Sequence, residues 1–337
     1  MKTLKVFRIP AILAVTFIAC GDDEPEGPTP GSQSPWKLVF TYNAAENDSI
    51  EDMWFSSAND GWACMYKRVF HYDGVKWRLF ADLGQQLGAT ALTDISAAGP
   101  NDVWVGGSPE AGAHFYHYNG TKWDKIDTHF PIDYVNDIFF ISPNQGWAAV
   151  AGERSPGNQG MVLFYDGQNW TCQWNSETEM EELFFVNASN GWGYGFDRNY
   201  DRHLYHFDGE WWDEVQLPGP PAEYFEAIKF CGPQDGWLLA RNGTNPKLYH
   251  YDGAAWTVVE CPANAKYVYE ADFASATDGW LAGGTSWHYD GQKFTAYPWP
   301  YEDQEANAIW VCGENDVWAA TGGLGTPNYI YHFTGFN

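Results

Sequence analysis

The sequence predicts an all-β fold, a seven-bladed β-propeller with four antiparallel strands per blade, and three observations carry that prediction. Residues 227–259, AIKFCGPQDGWLLARNGTNPKLYHYDGAAWTVV, hold four short runs rich in aromatic and β-branched residues, separated by Gly, Asn and Asp turns. That is the sequence form of an antiparallel meander. Two marks of this unit each recur seven times: a Trp after the first turn (Trp62, Trp104, Trp147, Trp192, Trp237, Trp280, Trp318) and a Gly in the second turn (Gly74, Gly120, Gly167, Gly209, Gly253, Gly291, Gly335). Their spacing averages about 43 residues, the period of four-stranded propeller blades. The seventh copy stops after its third strand, at Phe333-Thr334-Gly335, and the strand it lacks stands at the other end of the chain, in residues 36–40. Pairing the two termini in one blade closes the ring and removes two open strand edges.

Taken in order, residues 1–19 read as a secretion signal. Lys2, Lys5 and Arg8 precede a largely apolar run too short to span a bilayer. The run ends at Phe17-Ile18-Ala19-Cys20, which resembles the signal of bacterial lipoproteins, so Cys20 is the expected lipid-attachment site and new N-terminus; plain secretion is the alternative. Residues 20–35 hold that Cys and an acidic, Pro- and Gly-rich stretch expected to act as a solvated tether. The propeller occupies 36–337. Within each unit an apolar pair precedes the first Trp at period two, as in Ile138/Phe140 and Ile228/Phe230, which makes a strand face. Each of the first six copies ends in an aromatic-led fourth strand: Trp77, Trp123, Trp170, Trp212, Trp256 and Phe294. No long 3.6-residue pattern occurs, so almost no helix is expected.

The repeated Gly-Trp followed by Tyr-Asp-Gly-x-x-Trp resembles the repeats of Asp-box (BNR) propellers and of photosystem II stability factor-like propellers, over residues 36–337. The resemblance implies fold more than task, because Asp-box repeats occur in sialidases, other glycosidases, receptors and scaffolds. The turns depart from the Asp box, which places one residue between its Asp and Gly. Phe7-Arg8-Ile9-Pro10 matches a short sialidase motif but falls inside the leader, and reads as coincidence.

The net charge of −26 excludes nucleic acid and anionic lipid surfaces as favoured partners. Six His repeat before the second turn (His71, His117, His206, His250, His288, His332), each matched by an Asp or Asn two residues before the first Trp. The third copy lacks both, with Phe164 and Gln145, so the pairs are expected to be structural bonds. Apart from Cys20, the five Cys are odd in number and show no zinc spacing, so free thiols are expected.

Candidate functional residues lie where the copies differ. The loops between strands two and three vary from the short one between Trp280 and Gly291 to the long one between Trp147 and Gly167, and they share a face with the blade-to-blade loops. Arg154, Arg198, Arg202 and Arg241 fall in or beside them, and unpaired guanidinium groups there would bind an anion. Ten residues before the first Trp stand Asp52, Asp94, Asp137, Glu182 and Glu270, with Ala227 and Ala308 completing the seven. These acids should ring the channel mouth, either solvated and locally bonded or holding a cation. Tyr224, Tyr267 and Trp299 add aromatic surface in the blade-to-blade loops. The reading is a non-catalytic recognition propeller, a monomer without cofactor, binding protein or glycan at the bacterial envelope and facing the periplasm or cell surface. A carbohydrate-active enzyme with its site at the channel mouth and a structural scaffold are the alternatives.

Overall fold

Each repeat folds into one four-stranded antiparallel sheet, and seven such sheets form a closed ring. The computed structural model describes residues 34–43, 48–108, 114–152, 160–301, 304–323 and 326–335, so the expected leader, the lipid-attachment site Cys20 and most of the linker lie outside the described residues. Blades one to six comprise residues 50–82, 91–126, 132–176, 179–215, 224–259 and 268–297. Blade seven combines residues 306–333 with the N-terminal strand Trp36–Tyr42. One short helix, Leu83–Leu87, links blades one and two; Asp82 caps it by accepting from the Gln85 N–H, and Gly88 at φ 74° ends it.

Closure follows the expected register: Trp36 faces Phe333, Leu38 faces Tyr331 and Tyr42 faces Asn328. The strand also reaches beyond its own blade. The Trp36 indole N–H donates to Ser286 Oγ of blade six at 2.8 Å, and its ring lies 5.3 Å from Trp280 and 5.0 Å from Trp299. On the other flank Asn328 accepts from the Ile50 N–H at 3.1 Å and donates to the Asp48 carbonyl, joining blade seven to blade one.

Between blades, an aromatic stack repeats. The first Trp of one blade lies against the strand-one Phe of the next: Trp104 on Phe140 at 4.9 Å, Trp147 on Phe185 at 3.7 Å, Trp192 on Phe230 at 5.1 Å, Trp237 on Phe273 at 4.1 Å and Trp318 on Phe55 at 5.0 Å. In blades one, three, four and five the fourth-strand Trp meets the same Phe edge-on, as Trp256 does at 6.1 Å and 86°. That Phe fills the space left by the Gly preceding its own blade's Trp. A Cβ built on Gly61, Gly146, Gly191, Gly236 or Gly279 would overlap the ring of Phe55, Phe140, Phe185, Phe230 or Phe273. Where Val103 or Val317 replaces the Gly, the strand-one position holds the smaller Ala97 or Val311. Volume is conserved across the pair, as close packing demands.

All six His make the expected bond, from His71 to Asp60 at 2.7 Å through His250 to Asp235 at 2.9 Å, with His206 taking Asn190 at 3.0 Å. Each ring also lies over its blade's Trp, at 3.8–4.9 Å. In blade three Phe164 sits 5.2 Å from Trp147 in place of the His. The second turns explain their Asp-Gly sequence: Asp252 Oδ1 accepts from the Ala254 and Ala255 N–H groups at 2.9 Å, and Gly253 takes φ 90°. All five Cys of the described residues are free.

Two outcomes test this packing. Gly236→Ala should cost about 1–3 kcal/mol by overpacking against Phe230, and Phe230→Leu in the same chain should recover part of it, read as non-additive urea midpoints. Deleting residues 34–40 should lower the melting temperature far more than deleting residues 1–33. Equal melting temperatures would refute closure by the N-terminal strand.

Candidate functional site at the channel mouth

The innermost strand of each blade sends alternate side chains into the channel, because side chains in a strand point to one face every second residue. The upper positions are the acids Asp52, Asp94, Asp137, Glu182 and Glu270, with Ala227 and Ala308. Two residues further along each strand stand Trp54, Ser96, Phe139, Phe184, Lys229, Asp272 and Trp310. The acids and the lower layer line one recess of about 430 Å³, with Glu51, Glu181 and Glu226 at its rim. The expected acid ring is therefore present, and a second, mostly aromatic layer lies beneath it.

Most of the acids have a structural duty. Asp94 accepts from the Ile138 N–H of the next blade at 2.7 Å and Asp137 from Leu183 N–H at 2.7 Å; Asp52 and Glu182 reach Ile95 and Ile228 N–H at 3.3 Å. Each carboxyl thus latches its blade to its neighbour. Asp94 also stands within hydrogen-bonding reach of both Asp52 and Asp137, which requires a proton in the trio. Blade six does this differently: Asp272, in the lower layer, takes the Val311 N–H at 2.7 Å, as Ser96 takes Phe140 N–H at 3.1 Å.

Enclosure sets the charge of the recess. Burial pushes Asp137 up to about 7 and Glu182 to about 8, with neighbouring carboxylates adding to both. Asp94 and Glu270 are held well above the usual range by burial, then by the carboxyl groups around them. Lys229 is the one basic side chain among the described residues lining the recess. Burial opposes its charge, but Asp272, at 3.9 Å, and Glu182, Asp52 and Glu270 together raise its pKa. Its ammonium lies 4.6 Å from the Trp310 ring centroid and 6.0 Å from that of Phe184.

The rim corrects the expectation of an anion site. Arg198 pairs with Glu177, Arg202 with Glu181 and Arg241 with Glu226. No two of these guanidinium groups are left unpaired for an anion, because an acid-rich surface supplies each with its own carboxylate. Arg154 lies outside the described residues. Arg202 and Arg241 instead flank Tyr224, with guanidinium carbons 5.3 and 3.9 Å from its ring centroid. Tyr224, 40 % exposed, and Tyr267, 50 % exposed, do offer aromatic surface, as does Tyr134. Trp299 does not: it is 6 % exposed, donates its indole N–H to the Gly283 carbonyl at 2.8 Å, stacks on Tyr331 and packs at a tilt against Trp36. It is a core residue between blades six and seven, because the N-terminal strand brings Trp36 against it.

Among the described residues no group of three or more His, Cys, Asp or Glu is placed to hold a metal ion. Lys229 and Asp272 escaped the sequence reading because their position carries aromatics in four other copies. The signal available was period two from the acid position.

No known family model matches the chain, and no curated protein matches it in sequence. Solved structures do match in shape. YCF48 bound to a D1 peptide shares 15 % identity over 92 % of this chain and 100 % of that one, with a TM-score of 0.65. YCF48 from Cyanidioschyzon merolae shares 15 % over 88 % and 98 %, with a TM-score of 0.64. A catalytically inactive virginiamycin B lyase from Staphylococcus aureus with quinupristin shares 13 % over 89 % and 100 %, with a TM-score of 0.69. Likeness at such identities establishes the propeller and leaves the task to the site.

The acids predict a direction of pH dependence. Glu182 rises from the usual 4.5 to about 8 and Asp137 from 3.8 to about 7, so the folded state retains protons the unfolded chain releases. Their stabilisation is complete below the lower values and is lost as pH rises through about 7 to 8. The melting temperature should fall between pH 5 and pH 9, and Glu182→Gln should flatten that fall. A rising or level profile would contradict this assignment.

Proposed function

We propose that this chain is a non-catalytic recognition propeller, exported and lipid-anchored through Cys20 on the bacterial envelope, whose variable face receives a protein partner. The observation that carries the reading is the acid-lined recess of about 430 Å³ on the face of the unequal loops, beside the exposed Tyr134 and Tyr224. Concave sites with aromatic walls and a few convergent polar groups are the usual form of binding sites. A polypeptide suits it better than an anionic glycan, because the paired Arg groups leave the rim acidic. The match to a propeller bound to a peptide is consistent with a partner of that class.

A carbohydrate-active enzyme is the second reading, favoured by Glu182, which stays protonated near neutral pH and accepts the Tyr194 hydroxyl at 2.7 Å. Against it, the carboxyls of Asp52, Asp94 and Asp137 bond one another and the next blade's backbone. Glycosidic bonds are cleaved between carboxyl groups about 5 to 9 Å apart.

The test is retention on peptide and glycan arrays by the wild type and by Tyr224→Ala, Tyr267→Ala and Trp211→Ala. Trp211, 66 % exposed, lies on the opposite face in a second turn and serves as control. Peptides should be retained, and at least one Tyr variant should weaken retention about tenfold or more, in the range of interface hot spots, while Trp211→Ala leaves it unchanged. Retention of glycans alone, or equal binding by all variants, would refute the reading. Release of reducing sugar that Glu182→Gln abolishes would favour the enzyme.

A further inference from the structure

We propose that the chain modifies itself at Asn242: the side-chain amide closes to a cyclic imide on the Gly243 nitrogen, with Glu223 as the base, and water opens the ring to an acid. The inference stands apart from the recognition reading and needs no partner.

Three Asn-Gly pairs occur in the chain, at Asn119, Asn190 and Asn242. A glycine after the asparagine leaves the backbone nitrogen open to the side-chain carbon, because no Cβ shields it. The fold gives the three pairs different surroundings. Asn242 ends the second strand of blade five (Asp235–Asn242), and the register that sets Tyr224 opposite Arg241 brings Glu223 beside it.

Glu223 bonds both reacting groups. Its backbone N–H donates to Asn242 Oδ1 at 2.8 Å, a bond shared with the Arg241 carbonyl at 3.2 Å, and its carboxylate Oε2 accepts the Gly243 N–H at 2.8 Å. Asn242 Nδ2, the leaving nitrogen, has no hydrogen-bond partner among the described residues.

These contacts fit the steps of the reaction. The Gly243 nitrogen attacks Asn242 Cγ while Glu223 Oε2 takes the proton from that nitrogen, and a general base must stand within such hydrogen-bond reach. Negative charge develops on Oδ1, where the Glu223 N–H already points. Collapse breaks the Cγ–Nδ2 bond, and the proton held by Glu223 passes to Nδ2, so that ammonia leaves. Water then adds to one imide carbonyl and opens the ring to aspartate or isoaspartate. Asparagine and water become the acid and ammonia, with no change of oxidation state and with Glu223 regenerated.

The other two pairs lack this arrangement. Asn119 Oδ1 accepts from the Thr121 and Lys122 N–H groups at 3.1 and 3.2 Å, but among the described residues no carboxylate reaches the Gly120 N–H. Asn190 gives its Oδ1 to His206 at 3.0 Å, and Gly191 is buried against the Phe185 ring. Exposure alone would rank Asn119 first, since it is exposed and Asn242 is half-buried. The base reverses that order. The product would lie beside an exposed tyrosine: Arg241 Nη1 donates to the Gly243 carbonyl at 2.9 Å, and its guanidinium carbon lies 3.9 Å from the Tyr224 ring centroid. A new carboxylate, or the extra backbone carbon of isoaspartate, would change the loop that holds this pair.

The experiment is incubation of the full chain at pH 7 in heavy-oxygen water, followed by peptide mass mapping. The folded chain should convert Asn242 at least tenfold faster than Asn119, with heavy oxygen in the new carboxyl, and hydroxylamine should trap the imide by cleaving between residues 242 and 243. Both sites read Asn-Gly-Thr, so in urea the two rates should come together. Glu223→Gln keeps an acceptor for the Gly243 N–H but cannot take its proton. It should slow conversion of Asn242 at least tenfold and leave Asn119 unchanged. Equal rates at the two sites in the folded chain, a difference that survives in urea, or undiminished conversion in Glu223→Gln would overturn the assignment. The comparison of folded with unfolded wild type needs no variant, and it decides the matter if Glu223→Gln fails to fold.

Discussion

The structure depends on one repeated contact, the Trp of one blade lying against the strand-one Phe of the next. Five of the seven blade interfaces carry it, with centroids 3.7–5.1 Å apart. The contact requires a Gly before the Phe-bearing blade's own Trp, since any side chain there would occupy the place of the ring. It thereby fixes the Gly-Trp pair, the strand-one aromatic and the relative tilt of neighbouring sheets in a single packing unit. Aromatic pairs add about 0.5–1.5 kcal/mol each beyond the area they cover, so the ring distributes its stability over its interfaces. At the two exceptions, Val103/Ala97 and Val317/Val311, bulk has moved from one partner to the other.

That same arrangement positions the site. Holding seven innermost strands in register brings the residue three places before the Phe of each blade to the channel mouth, and these residues are mostly acids. Their first use is mechanical, because Asp52, Asp94, Asp137 and Glu182 each latch onto a backbone N–H of the next blade. Their second follows from the enclosure: six carboxyls with one lysine make a recess that is neutral in large part at low pH and increasingly anionic as pH rises. Blades five and seven withdraw their acids from the ring, and Lys229 and Asp272 answer each other below. The asymmetry is confined to the sector around blade six.

Repetition decided what was legible in the sequence. The His and its acid could be paired across 10–16 residues because the pair recurs and is lost jointly in blade three. The acid ring was legible for the same reason. What occurs once was not: Arg202 and Arg241 find Glu181 and Glu226 on another strand, 21 and 15 residues away, and no repeat announces them. Trp299 read as loop surface because its cover, Trp36, comes from the far end of the chain. Lys229 and Asp272 were hidden among aromatic residues at the same position. Fold information is thus written in each copy, whereas site information lies in departures from the copy, whose partners only the folded ring brings together.

The most direct measurement of the central claim is an NMR titration that follows the tryptophan indole N–H signals while a partner peptide is added. Trp54 and Trp310 line the recess and Trp211 lies on the opposite face. The account predicts saturable shifts at Trp54 and Trp310 with Trp211 unmoved. Shifts at Trp211 with the channel signals unchanged would contradict it.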